Sequence, residues 1–174
     1  MPPIEVITTY LEMRTRPSLT VTRPNRSGML LRLDPPTVSF YRFLYETVGA
    51  PWGWFERTDM DDDALAEVIT DDAVDVFVLY MGGAPAGFFE LDRRTVGEVE
   101  LRHFGLTPDF IGRGLGKHLL ASAVEAAWDD EPERVWVRST SLEHPSGLLM
   151  YQWAGFVPYD STRETVDDRR PQSS

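Results

Sequence analysis

Between positions 108 and 117 the chain reads Pro-Asp-Phe-Ile-Gly-Arg-Gly-Leu-Gly-Lys, with glycines at Gly112, Gly114 and Gly116. Glycines this closely spaced, just ahead of a helical pattern, let the backbone approach a ligand and turn free N–H groups toward it. The helix N-terminus adds partial positive charge, so the guest that suits such a turn is a pyrophosphate. Arg113 and Lys117 would add cationic contacts. A P-loop needs Gly-Lys followed by Ser or Thr, whereas Lys117 precedes His118. A dinucleotide fingerprint needs GxGxxG early in a strand–helix–strand unit and an acidic residue about 20 positions on. Here the spacing is GxGxG, late in the chain, and Asp129 and Asp130 close the helix. Coenzyme A is the remaining common pyrophosphate; a glycine turn without a ligand is the alternative.

Just upstream, Glu98, Glu100 and Arg102 alternate with Val99, Leu101 and His103. Strict strand alternation puts the first three on one face and His103 on the other. Carboxylates in this place are candidate proton acceptors, yet a solvated strand face with a Glu100–Arg102 pair explains the same pattern.

These groups need elements to hold them. A strand is expected from Ile4 to Met13, followed by a loop rich in Pro, Arg and Thr, and another strand from Gly28 to Asp34. Pro35 and Pro36 open a helix through Val48. Gly49 to Arg57 breaks it and carries Trp52, Trp54 and Phe55. Asp61 is an N-cap for a short helix with Leu65, Val68 and Ile69 on one face. Val74–Met81 and Ala84–Leu91 form a hairpin about Gly82-Gly83. Glu98–Leu106 is the strand before the glycine turn, and the helix after it runs to Trp128. Strand Arg134–Thr140, helix Pro145–Trp153 and a strand from Phe156 to about Thr165 complete the order. The fold class is α/β (α+β): a mixed central sheet, antiparallel early and parallel late, flanked by about four helices. The expected division is 1–27 as an N-terminal strand and loop, 28–165 as the main domain, and 166–174 as a frayed polar tail.

The glycine turn resembles the acyl-CoA signature of the GNAT superfamily of N-acetyltransferases, written Gln/Arg-x-x-Gly-x-Gly/Ala. Gly114 and Gly116 match its later positions, and Ile111 stands at the first. A second segment, His144 to Phe156, resembles the family's Asn-x-x-Ala-x-x-x-Tyr-x-x-x-Gly-Phe ending. There Tyr151, Gly155 and Phe156 match, while His144 and Gly147 depart from it. The resemblance implies acetyl-CoA as co-substrate. Phe104, Gly105 and Leu106 would pair with its pantetheine arm. The stretch Ile111, Gly112, Arg113, Gly114, Leu115, Gly116 and Lys117 would hold its pyrophosphate. It also implies transfer of the acetyl group to a primary amine, with Glu100 as base, Glu98 second and His103 third, and Tyr151 as the acid that meets the leaving thiolate. Acceptor contacts are expected from Trp52, Trp54, Phe55, Glu98 and His144.

Composition narrows the classes. The 174 residues carry a formal charge of −11 and no cysteine. No cluster of Lys and Arg is present to neutralise phosphates, so a nucleic-acid partner is not expected. Thiolate chemistry and cysteine-bound zinc are excluded, and three histidines without ligand spacing imply no metal. With no basic start followed by an apolar run, and no long apolar stretch, the expected setting is cytoplasmic, without a membrane partner. A small-molecule or peptide amine is the expected partner, and a homodimer is an open arrangement. The rival on the same fold is a regulatory module that binds acyl-CoA without turnover.

Overall fold

A computed structural model describes residues 2–20 and 28–172. The elements run β1 (Pro3–Met13), β2 (Gly28–Arg32), α1 (Val38–Gly49), α2 (Asp62–Ile69), β3 (Val74–Met81), β4 (Ala84–Asp92) and β5 (Glu98–Leu106). They continue with α3 (Leu115–Trp128), β6 (Arg134–Thr140), α4 (Gly147–Ala154) and β7 (Val157–Asp167). Short 3₁₀ turns cover Ala50–Trp52 and Pro108–Phe110.

Local chemistry explains most boundaries. Thr37 caps α1 by accepting from the Phe40 amide, so the helix starts after the two prolines. Asp61 caps α2 through the Ala64 amide at 2.8 Å. Gly82 and Gly83 both have positive φ, as the two-residue turn between twisted strands requires.

One seven-stranded sheet has the order β2-β3-β4-β5-β6-β1-β7. Only β5 and β6 are parallel; the other five pairings are antiparallel. The N-terminal strand is therefore no appendage: β1 lies inside the sheet, antiparallel to β6 on one side and β7 on the other. The tail is also tied down. Strand β7 reaches Asp167, and both terminal nitrogens of Arg169 meet the Asp59 carboxylate at 2.6 and 2.9 Å. The loop expected between β1 and β2 falls largely outside the described residues.

Two cores cover opposite faces. Helices α1 and α2 pack Tyr41, Leu44, Tyr45, Val48, Leu65 and Ile69 on Val76, Val78 and Phe88. Helices α3 and α4 close the other face, where Leu119, Ala123, Tyr151 and Phe156 meet Leu11, Phe89, Leu101 and Val137.

Strand β5 does not alternate strictly. Leu91 opposes Leu101, but Glu90 opposes His103, so Arg102 is an extra residue and forms a bulge. The bulge moves His103 onto the face that carries Glu100, correcting the alternation expected from sequence. His103 then lies under α1, with its ring 5.0 Å from Tyr45 and 5.2 Å from Trp54. Its Nδ1 is 3.4 Å from Glu90 Oε1.

Glu90 is fully buried and anchors a polar cluster. It accepts from the Tyr41 hydroxyl at 2.6 Å and from Arg57 Nη2 at 2.8 Å. Burial opposes its charge, but His103, Arg57 and Tyr41 more than offset this and hold the carboxyl well below the usual range. Burial of the imidazole outweighs the pull of Glu90 and lowers the His103 pKa. Arg57→Met should cost about 3–5 kcal/mol, because it leaves the Glu90 charge without its guanidinium. The double change Arg57→Met, Glu90→Gln should cost less than Arg57→Met alone. Urea midpoints at unchanged slope measure both.

Candidate functional site

The parallel pairing of β5 with β6 covers only Glu98–Leu101 against Arg134–Val137. Beyond Leu101 the two strands part, which leaves the β6-facing edge of Arg102–Leu106 without a strand partner. Two clefts open along this split, of about 400 and 420 Å³.

The first is bounded by Phe104, Gly105 and Leu106 from β5, by the glycine turn, and by α4. Among the described residues, no backbone hydrogen bond within the protein uses the amides of Gly112 to Gly116. Gly112 and Gly114 have φ of 82° and 76°, conformations that few other residues adopt. A Cβ on Gly112 or Gly114 would meet nothing within 4 Å, whereas at Gly105 it would lie 2.5 Å from Val48. The turn thus faces open space, and Gly105 is needed where α1 closes on β5. Ile111, Gly116 and Lys117 also border this cleft, with the Lys117 ammonium 4.9 Å from the Trp153 ring centroid.

Not every expected residue turns its side chain to the cleft. Leu115 points into the core, and the Arg113 guanidinium lies over Phe110, away from the lining. Trp52 and His144 share the first cleft, edge to face at 5.6 Å, and His144 Nδ1 accepts from the Ser146 amide. Phe55 lines the second cleft, and Trp54 lines both. Glu98 and Glu100 line neither. Both sit in the paired part of β5, where Arg134 Nε is 3.1 Å from Glu98 and Arg138 Nε donates to Glu100 at 3.0 Å. Burial pushes the Glu100 carboxyl up, against the pull of Arg102 and Arg138. The split begins at Arg102, two residues beyond Glu100 and four beyond Glu98.

The second cleft holds groups that sequence reasoning missed. Thr8 and Tyr10 come from β1, Arg138 from β6, and Arg163 and Glu164 from β7. No local pattern marks them, since they meet only through pairings such as Tyr10 with Arg138 and Ile7 with Arg163.

Four residues border both clefts: Trp54, Phe104, Glu143 and Tyr151. Tyr151 packs against Phe104 and Phe156, and burial followed by the nearby Glu143 charge raises its pKa well above the ordinary phenol. Glu143 lies in the loop between β6 and α4 and was also missed. It is half-buried, and its one side-chain partner is the Ser139 hydroxyl at 3.4 Å. Desolvation, only partly offset by Ser139 and a backbone amide, pushes its carboxyl up to about 7.

A glycine turn with unpaired amides, a split parallel pair and a tyrosine between two clefts form one arrangement, and the sequence model of the acetyltransferase (GNAT) domain matches residues 46–167. The chain belongs to the GNAT acetyltransferase family. No curated protein is matched by its sequence. The GNAT fold is shared with a functionally unknown conserved protein from Staphylococcus epidermidis, at 15% identity and a TM-score of 0.64, covering 94% of this chain and 61% of that one. It is shared with a GCN5-related N-acetyltransferase from Sphaerobacter thermophilus, at 16% identity and a TM-score of 0.64, covering 98% and 53%. An aminoglycoside acetyltransferase from an uncultured soil metagenomic sample, in complex with sisomicin, aligns at 14% identity and a TM-score of 0.59, covering 74% and 87%. The chain thus spans little more than half the length of the first two proteins.

The raised Glu143 pKa has a consequence for stability. Between pH 4.5 and about 7 the folded chain keeps a proton on Glu143 that the unfolded chain has lost. Its contribution is therefore favourable at low pH and declines as pH rises to about 7, above which a desolvated charge is retained. Glu143→Gln should raise the thermal midpoint at pH 8 and give no increase at pH 4, read by calorimetry.

Proposed function

We propose that this GNAT domain transfers an acetyl group from acetyl-CoA to a primary amine by direct attack. The observation that carries the reading is the meeting of two clefts at the β5–β6 split, where Trp54, Phe104, Glu143 and Tyr151 belong to both. One cleft has the apolar walls and unpaired amides that suit a pantetheine pyrophosphate; the other has the mixed charges that suit a polar acceptor.

In this reading the amides of Gly112 to Gly116 and the N-terminus of α3 hold the pyrophosphate, with Lys117 beside them. The unpaired edge of Arg102–Leu106 offers backbone groups to the amides of the pantetheine arm. The thioester then lies beside Phe104 and Tyr151, open to the second cleft. Tyr151 meets the sulfur as the C–S bond breaks. A phenol near 10 is a weaker acid than a thiol near 8.5, and burial widens that gap. Its chief contribution is a hydrogen bond to the developing charge. The acceptor is a small-molecule or peptide amine. Sisomicin, bound by a protein of the same fold, is one amine to try.

Thermal unfolding with acetyl-CoA, CoA, NAD and ATP in parallel tests the cofactor. Either CoA species at a hundredfold excess over its dissociation constant should add about 2.7 kcal/mol, while NAD and ATP should add none. Thiol release with an amine panel then tests transfer. On the best amine, Tyr151→Phe should lower kcat about 10²-fold with the KM for acetyl-CoA unchanged. A folded protein that responds to neither CoA species would sink the proposal.

A further inference from the structure

We propose that Glu143 is the group that takes the proton from the attacking amine, an assignment that rests on the acetyl-transfer reading above. Position is the first support. Among the carboxylates of the chain's described residues, Glu143 alone borders both the acyl-CoA cleft and the acceptor cleft. It stands with Tyr151 at the junction where an amine in one cleft would meet a thioester in the other.

The second support is its lack of a cation. Glu90 and Glu100 are more deeply buried, and each has an arginine within 3.0 Å, Arg57 and Arg138 respectively. Among the described residues Glu143 has no arginine, lysine or histidine partner, and it meets only the Ser139 hydroxyl at 3.4 Å and the Thr140 backbone amide. A shielded carboxylate left unpaired is costly unless it can take up a proton, and a group poised to do so near neutral pH suits a general base. Burial places its carboxyl at about 7, close to that requirement.

Its neighbours leave that role open. From β5 the cleft carries Arg102, tied to Glu56, and His103, which faces Glu90. From β6 comes Arg138, tied to Glu100, and from β7 the Arg163 and Glu164 side chains. Lys117 borders the acyl-CoA cleft from α3, and α4 adds Tyr151. None of these basic groups pairs with Glu143.

The step balances as follows. The lone pair of the neutral amine forms the C–N bond, and a proton on that nitrogen passes to Glu143. The C–S bond breaks with its electron pair on sulfur, and the thiolate takes a proton from solvent or from Tyr151, which solvent then reprotonates. Glu143 releases its proton to solvent, so one amine proton is lost and one thiol proton gained. Protonation of Glu143 also removes the charge that holds the Tyr151 proton in place, which assists the tyrosine at the moment sulfur departs.

Glu143→Gln keeps the size of the side chain and its contact with Ser139 but cannot take a proton. Two measurements test it beside the wild type and Glu143→Asp. The first is calorimetry of acetyl-CoA binding at pH 7 in buffers of different ionisation enthalpy. Covering Glu143 should draw a fraction of a proton onto the wild type, and Glu143→Gln should lose that uptake while still binding acetyl-CoA. The second is the pH profile of turnover on the best amine. Glu143→Gln should lower kcat about 10²–10⁴-fold and lose the limb that rises near pH 7, with Glu143→Asp recovering part of both. Equal proton uptake, or a rising limb and kcat kept in Glu143→Gln, would overturn the assignment while acetyl transfer stood. Failure of the wild type to bind acetyl-CoA would remove the acetyl-transfer reading and this assignment with it.

Discussion

Strands β5 and β6 run parallel for four residues and then separate. Everything chemical in this chain depends on that separation. A sheet that stayed paired would satisfy the backbone of Arg102–Leu106 internally, and neither cleft would exist. Such an opening must be held from both faces, since unpaired strand edges otherwise close or recruit another strand. One face is held by α1, whose Val48 approaches Gly105 so closely that no side chain fits there. The other is held by α4, whose Tyr151 wedges against Phe104.

The Arg102 bulge and the Glu90 cluster belong to the same design. By adding one residue just as β5 leaves β6, the bulge turns His103 toward α1 and beneath the acceptor cleft. There Glu90, Arg57 and Tyr41 form a buried ionic floor that ties β4 to α1 and to the loop carrying Trp54. The rigid floor fixes the aromatic wall that both clefts share. The price is a set of buried charges that tolerates the loss of no single member.

Much of this was legible in the sequence, for reasons that can be stated. The hairpin about Gly82-Gly83, strand β6, the Asp61 cap and the glycine turn are local, and each is set by residues within a few positions of one another. Tyr151 and the first-cleft residues Phe104, Gly105, Ile111 and Gly116 were legible because two motifs carry them at fixed spacing. That Glu100 lines neither cleft was not legible, because alternation places a residue on a face without saying where the neighbouring strand departs. His103 misled because a bulge has no sequence signal here: Leu101-Arg102-His103 is an ordinary strand triplet. Glu143 was missed because it stands in a loop, and its meaning comes from what surrounds it in space. Half of the acceptor cleft was out of reach for the same reason, since β1 and β7 enter it by long-range pairing.

The place of β1 has a further implication, for how the chain is made. Pro3 pairs with Asp167 and Met13 with Val135, so the first strand of the domain finds its neighbours only among residues 135–167, made well over a hundred positions later. Until then its edges stay unsatisfied, and such distant pairings form slowly. The cleft beside the glycine turn, lined mainly from β5, α3 and α4, draws on a compact stretch of chain. The second cleft cannot be complete before β7 docks. In the order of assembly, the glycine-turn side is ready before the side that β1 and β7 close.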